Sequence, residues 1–254
     1  MTGKLAVIGL GPGDARYLIP QAADALAAAD ALYGYGPYLD RAPERPGQSR
    51  HPSDNREEGA RAAAALRHAA QGANVAVLSG GDPGVFAMAA AVCEQIESGP
   101  AAWRELDVEF VPGITAMLAV AARIGAPLGH DFCAISLSDN LKPWDVVERR
   151  LDAAAGAGFV IALYNPISRA RPWQLGSALE RLRRHLPEAT PVVFGRAVGR
   201  PDERVHVTPL AKADARQADM ATLVIVGSPE TRVITRPGKS PLVYTPRAVA
   251  KVSA

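Results

Sequence analysis

Ala73-Asn74-Val75-Ala76-Val77-Leu78-Ser79-Gly80-Gly81-Asp82-Pro83-Gly84-Val85-Phe86 is the stretch whose reading decides the fold. A short apolar run rich in branched residues that stops at a glycine pair is the pattern of a buried parallel strand, and the Ala- and Met-rich segment after Phe86 is the pattern of the helix that leaves it. Turns at the carboxyl ends of strands in open α/β sheets are where ligands bind. Glycine lets backbone groups approach a ligand with no Cβ in the way, Asp82 adds a carboxylate, and Pro83 fixes the φ that starts a helix. The same residues also make an ordinary strand-to-helix turn capped by an aspartate, so the other turns must decide between a site and a connector.

Two further turns of this kind flank it. Residues 4–10 read as a buried strand, followed by Gly9-Leu10-Gly11-Pro12-Gly13-Asp14 and a helix around residues 21–29. The loop lacks the third glycine of a dinucleotide fingerprint, Asp30 falls before the next apolar run rather than at its end, and no Gly-Lys-Ser/Thr follows. It still offers amides and a helix start to an anion such as a carboxylate. Residues 31–35 read as a second strand leading into an irregular, Pro-, Gly- and charge-rich excursion over residues 36–55, with Tyr33, Tyr35 and Tyr38 beside it. An amphipathic helix over 56–71 precedes the central strand. Residues 106–111 alternate like a strand and stop at Pro112-Gly113-Ile114-Thr115 before a helix over 116–124. Three strands that each end at a glycine-bearing turn opening a helix predict a parallel sheet with one functional edge.

The second half is more mixed. Residues 132–137 read as a strand running into the polar turn Ser138-Asp139-Asn140-Leu141-Lys142-Pro143-Trp144, and residues 158–163 as one ending at Tyr164-Asn165-Pro166. Helices are expected over 144–154 and 173–186, and strands over 191–194, 204–208 and 222–226. The expected architecture is α/β in two domains, residues 1–115 and 116–254, with mainly parallel or mixed sheets flanked by helices and an active-site cleft between the domains.

Composition excludes several function classes. The 254 residues carry a formal charge of +2 from nearly cancelling counts, with no block of five like charges, which argues against duplex nucleic acid as a partner. Cys93 and Cys133 lie far apart and the five histidines show no HExxH spacing, so no metal is expected. The chain starts directly in a strand-like run, and no apolar stretch approaches bilayer length; a soluble cytoplasmic protein with no membrane partner is expected.

The order Gly9-Leu10-Gly11-Pro12-Gly13-Asp14, Ser79 to Phe86, Val111-Pro112-Gly113-Ile114-Thr115-Ala116, Gly129-His130-Asp131-Phe132, Ser136-Leu137-Ser138-Asp139 with Pro143-Trp144, and Tyr164-Asn165-Pro166 resembles the tetrapyrrole methylase family. Within it, the last three motifs resemble the C17-methylating, ring-contracting group of cobalamin biosynthesis. The resemblance spans nearly the whole chain. It implies a two-domain, S-adenosylmethionine (SAM)-dependent methyltransferase fold, a precorrin substrate and a homodimer. Carried over residue by residue, it places Pro12, Gly80, Gly81, Asp82, Val85, Thr115, Ala116, Tyr164, Asn165, Ala197 and Thr222 near SAM. Gly84 stands where many relatives carry a bulky aromatic, and Tyr164-Asn165-Pro166 replaces a Met-Gly type turn; both departures agree with the narrower group.

SAM carries a sulfonium, an adenosine and an amino acid but no phosphate, so glycine turns and Asp82 suit it better than a basic cradle would. That leaves Gly11, Gly13 and Asp14 to face the substrate, with Arg169, Arg171, Arg196 and Arg200 as candidates for its peripheral carboxylates. Methyl transfer is dominated by positioning. The ring contraction that the resemblance implies needs proton transfer at oxygen, and the candidates are His130, Asp131, Asp139, Asn140, Lys142 and Asn165, with His130 first because imidazole titrates near neutrality. Alternatives left open are a methylase acting at C11 of precorrin-4 or C20 of precorrin-2, a methylase of RNA, and a non-enzymatic α/β protein that binds a small molecule.

Overall fold

The computed structural model describes residues 3–248, which divide into two compact units, one running to Ala116 and the other from Met117.

The first unit is built on five strands, β1 (Lys4–Gly9), β2 (Ala31–Tyr35), β3 (Ser49–Ser53), β4 (Val75–Ser79) and β5 (Asp107–Val111), in the order β3-β2-β4-β1-β5. Every pairing is parallel. The near-continuous apolar runs of β1 and β4 follow from burial on both faces. Leu5, Val7, Val75 and Val77 point to one side, where they meet Ala62, Ala65, Leu66 and Ala69 of helix α3 (Glu58–Ala70) and Met88 and Val92 of α4 (Met88–Ser98). Ala6, Ile8, Ala76 and Leu78 point to the other, against Ala22 and Leu26 of α1 (Pro20–Ala28). The 3- and 4-residue spacing of the buried alanines on α3 keeps that helix close to the sheet.

The stretch expected to be irregular is ordered. It forms the one-turn helix α2 (Gly36–Leu39) and β3, an edge strand that tolerates Pro52 because its outer side has no strand to serve. Two arginines fix it. Arg50 donates to the carbonyls of Leu39, Ala42 and Pro43, and the buried Arg61 of α3 donates to Ser53 Oγ at 2.6 Å and the Asp54 carbonyl at 2.8 Å. All but the Ser53 contact run from side chain to backbone, which hydrophobic periodicity does not register.

The second unit pairs β7 (Phe132–Ser136) with β8 (Val160–Tyr164) in parallel. It continues antiparallel through β11 (Thr222–Val226), β9 (Pro191–Arg196) and β10 (Arg204–Pro209), in the order β10-β9-β11-β8-β7. Ile161, Leu163, Val192, Phe194, Val224 and Val226 pack under α6 (Trp144–Gly156) and α7 (Gln174–Leu182). Leu175, Leu179 and Leu182 of α7 are fully buried, contributing about 1.5–3 kcal/mol each by area removed from water. On the other face α5 (Ala116–Ile124) approaches so closely that a Cβ at Gly195 would lie 2.3 Å from Val120. A small third sheet joins β6 (Gly125–Ala126) to the hairpin of β12 (Arg232–Arg236) and β13 (Lys239–Tyr244). The hairpin turns at Pro237-Gly238, with Gly238 at φ +66°. Pattern reading does not pick it up, because β12 exposes nearly all its residues and shows no alternation.

What positions the first unit's turns is a three-way backbone contact. Gly11 and Gly81 exchange two hydrogen bonds, N–H of each to C=O of the other at 3.1 and 3.0 Å, both residues at positive φ. A Cβ on Gly9 would stand 2.7 Å from the Gly113 nitrogen, and one on Gly113 would stand 2.2 Å from the Gly81 oxygen. Three strand ends therefore meet main chain to main chain, in space that only glycine leaves open. Gly113→Ala is expected to lower the unfolding free energy by about 1–3 kcal/mol, the usual cost of overpacking. Gly156→Ala, at the end of α6 with nothing within 4 Å of the added carbon, should cost nothing. Paired urea titrations check this, and equal stabilities for the two variants would contradict it.

Candidate functional site

In the first unit the β4 turn is organised by Asp82. Its Oδ1 accepts from the Gly84 N–H at 2.8 Å and its Oδ2 from the Gly113 N–H at 3.0 Å, so one carboxylate closes its own turn and grips the turn after β5. A Cβ at Gly80 would lie 2.6 Å from the ring of Tyr38, which rests on that glycine. Thr115 is buried at the start of α5, next to Ala116, and Val85 donates its N–H to the Asp82 carbonyl. Gly80, Gly81, Asp82, Val85, Thr115 and Ala116 thus lie on two turns joined by one side chain. Pro12 lies on the third turn, which Gly11 ties to Gly81.

The leading loop needs correction as a substrate-facing element. Gly11 spends both backbone groups on Gly81, and its carbonyl, with that of Leu10, also accepts from Arg41 at 3.0 and 2.7 Å. Arg41 comes from the segment after α2, a role that its charge-rich surroundings conceal in the sequence. Asp14 caps a short 3-10 turn, Ala15–Tyr17, by accepting from the Arg16 N–H at 2.9 Å. The Arg16 backbone and guanidinium hold its carboxyl below the usual range. The amide expected to meet an anion is already met by the chain's own carboxylate. Gly13 lies between these two engaged residues.

In the second unit the carboxyl ends of β7 and β8 are neighbours. Tyr164 places its hydroxyl at the start of α5, accepting from the Met117 N–H at 3.1 Å. Asn165 donates its amide to Ser136 Oγ at 3.0 Å and its carbonyl accepts from Arg171. Asp139 Oδ2 accepts from Gln174 Nε2 at 3.1 Å; Gln174 is 1% exposed and its Oε1 has no partner. Burial, with Arg150 nearby, pushes the Lys142 ammonium pKa below its ordinary value. Asn140 is an exposed turn residue between these two. Sequence reading picks out Asp139, Asn140, Lys142 and Asn165, and quotes Ser136 only within a motif and not as a site residue, while Gln174 carries no motif of its own.

His130 does not belong with them. It precedes β7, whereas Asp139 follows it, so the five residues of the strand, at about 3.3 Å each, separate the two ends. The ring Nδ1 accepts from the Asp131 N–H at 2.8 Å and stands 3.7 Å from the Asp131 carboxylate. Arg196 is likewise engaged elsewhere. It donates to Asp219 and Asp202, both at 2.6 Å, and these carboxylates raise its pKa further, so a substrate carboxylate would have to displace one of them. Asp219 also takes the Thr222 hydroxyl at 2.8 Å. Arg200 closes the same turn through its N–H to the Ala197 carbonyl, and Arg169 lies on the loop after β8.

Backbone strain falls on the same turns. Four described residues other than glycine have positive φ, and three of them, Phe86, Asn165 and Ala197, follow β4, β8 and β9. Such conformations persist where the surroundings over-determine them, and they cluster at functional sites. Among the described residues no three His, Cys, Asp or Glu side chains group to hold a metal ion, and no helix is long and apolar enough to cross a membrane.

Residues 4–214 match the family model of tetrapyrrole (corrin/porphyrin) methylases. A precorrin-3B C(17)-methyltransferase from Sinorhizobium sp is 66% identical over 253 residues, covering all of both chains. The crystal structure of the methyltransferase CobJ superposes with a TM-score of 0.92 at 48% identity, over 96% of this chain and all of that one. The fold is shared more widely: a uroporphyrin-III C-methyltransferase from Thermus thermophilus, solved with S-adenosylhomocysteine, gives a TM-score of 0.67 at 23% identity, over 89% and 97% of the two chains. The glycine-knit strand ends, the strained turns and these likenesses agree, and the chain belongs to the tetrapyrrole methylases, a family of SAM-dependent methyltransferases.

Proposed function

We propose that this chain methylates C17 of precorrin-3B with SAM as donor and contracts the macrocycle, giving precorrin-4 in cobalamin biosynthesis. The observation that carries this reading is the 66% identity to a precorrin-3B C(17)-methyltransferase over the full length of both chains. Incubating the protein with SAM and precorrin-3B and analysing the product by mass spectrometry and absorbance tests it. A methylated, ring-contracted product is expected. Methylation of precorrin-4 or precorrin-2 instead would reassign the chain within the family, and absence of SAM binding by calorimetry would overturn the reading.

The donor set fits SAM. The turns after β4 and β5 offer main-chain amides and carbonyls with no lysine or arginine among residues 79–86 and 111–116, which suits a phosphate-free zwitterion. When bound, SAM supplies an electrophilic methyl group. In this reading Pro12, Gly80, Gly81, Val85, Thr115 and Ala116 of the first unit contact it, as do Tyr164, Asn165, Ala197 and Thr222 of the second. Asp82 acts one step back by holding two of the turns in register. Asp82→Ala removes the acceptor for Gly84 and Gly113, and is expected to weaken SAM binding about tenfold and to lower stability, since a hydrogen bond to a charged group contributes about 1.5–3 kcal/mol. Unchanged SAM affinity in calorimetry would count against this role.

For the contraction, the polar groups at the carboxyl ends of β7 and β8 are the proton carriers we assign. Gln174 holds one oxygen of Asp139 and leaves the other to take or give a proton, and the lowered pKa of Lys142 brings a donor nearer neutrality. Asn140 and Asn165 are placed to donate hydrogen bonds to oxygen as charge develops. Asp139→Asn is expected to lower kcat at least about 100-fold with SAM affinity unchanged, in the range of general acid–base catalysis. Replacing His130 with Gln, at the far end of β7, should leave kcat within about threefold. Single-turnover kinetics on both variants would expose the reverse pattern. A homodimer, implied by the family resemblance, is part of the proposal and is read by sedimentation.

A further inference from the structure

Trp173 is a large apolar side chain that the fold leaves uncovered. It is 48% exposed, whereas Leu175, Leu179 and Leu182 of the helix that follows it are buried. Its ring stands edge-to-face on Trp144, with centroids 4.9 Å apart and planes at 75°. Trp144 begins α6 and Trp173 immediately precedes α7, so the pair bridges the two loops that leave the adjacent carboxyl ends of β7 and β8. Next in the chain, Gln174 is buried and binds Asp139 across the same two loops. The indole is therefore braced by Trp144 and anchored through its own backbone by a buried neighbour, while about half of the residue stays exposed.

The chemistry around it is specific. Lys142 lies on one loop and Arg169 and Arg171 on the other, so both of the loops that carry the indole pair also carry cations. A flat, extended π-system stacks on an indole in offset geometry, and carboxylates around its edge pair with the cations. A polyanionic macrocycle meets both demands at once. A peptide or lipid chain would use the apolar surface but has no call for cations on both of the loops that carry it.

We propose that Trp173 is a substrate-stacking residue that receives one face of the tetrapyrrole, with Trp144 as its brace. This rests on the reading of the substrate given above and goes beyond it by naming the surface that recognises the macrocycle rather than the reacting carbon. Trp173 thereby sets which ring face lies toward Asp139.

Uroporphyrin III, a stable tetrapyrrole with peripheral carboxylates, is the probe. Titrating it into the wild-type protein and into W173A, W173L and W173F, followed by the Soret band, separates stacking from general apolar contact. Wild type and W173F are expected to bind with similar affinity and a shifted Soret band. W173A should bind about tenfold or more weakly, in line with the loss of one aromatic stacking partner, and W173L should lose the band shift. Circular dichroism melts and SAM calorimetry on each variant verify the fold. Wild-type binding that W173A and W173L reproduce would overturn the stacking role while leaving the substrate reading intact. Failure of the wild type to bind any tetrapyrrole, precorrin-3B included, would overturn both. Unchanged porphyrin binding with altered sedimentation of W173A would assign the ring to self-association instead.

Discussion

The structure of the first unit depends on how closely three strand ends approach one another. Main chain packs on main chain at Gly9 and Gly113, where an added carbon would fall inside contact distance, and Gly81 joins them at a φ of +67°. Asp82 completes the arrangement by accepting one amide from its own turn and one from the next. Because the sheet is parallel, all three turns emerge at one edge, and their spacing is set by close main-chain packing, by the Gly11–Gly81 backbone hydrogen bonds and by one carboxylate. A ligand that is read by main-chain groups, and not by charge, requires that kind of accuracy.

The second unit reaches a comparable result by other means. Its sheet is mostly antiparallel, so successive loops leave from both ends. Only the parallel pair β7–β8 brings two consecutive loops together. There the joints are made by side chains, Asn165 to Ser136, Gln174 to Asp139 and Trp144 to Trp173. Side-chain joints allow chemistry to be placed on them, which is why the polar candidates concentrate at this end while the titratable groups on the first unit's three turns are two aspartates, Asp14 and Asp82, both already engaged.

Much of the frame was legible from residue order. The buried strands at Lys4–Gly9, Val75–Ser79 and Val160–Tyr164 announce themselves as apolar runs, and the glycines that end the first two and the Asn165-Pro166 pair that ends the third mark where the chain must turn. What stayed illegible falls into two kinds. Edge elements such as β3 and the β12–β13 hairpin carry no periodic signal because β3 and β12 have no fully buried residue and β13 has only one. Roles set by contacts across long separations, Arg41 on Leu10 or Gln174 on Asp139, cannot be inferred from neighbours in the chain. His130 shows a third limit: a titratable residue beside a strand says nothing of which end of the strand matters until the sheet is assembled.

Tyr38 and Gly80 illustrate how such packing constrains change over time. The phenol ring fills the volume that a side chain at position 80 would need. A side chain at position 80 therefore requires the Tyr38 ring to move aside, and a smaller residue at 38 would both expose the glycine and license its replacement. The two sites, forty-two residues apart, form one unit of variation, so either substitution arriving first passes through a chain that is overfilled or hollow at the foot of the β4 turn.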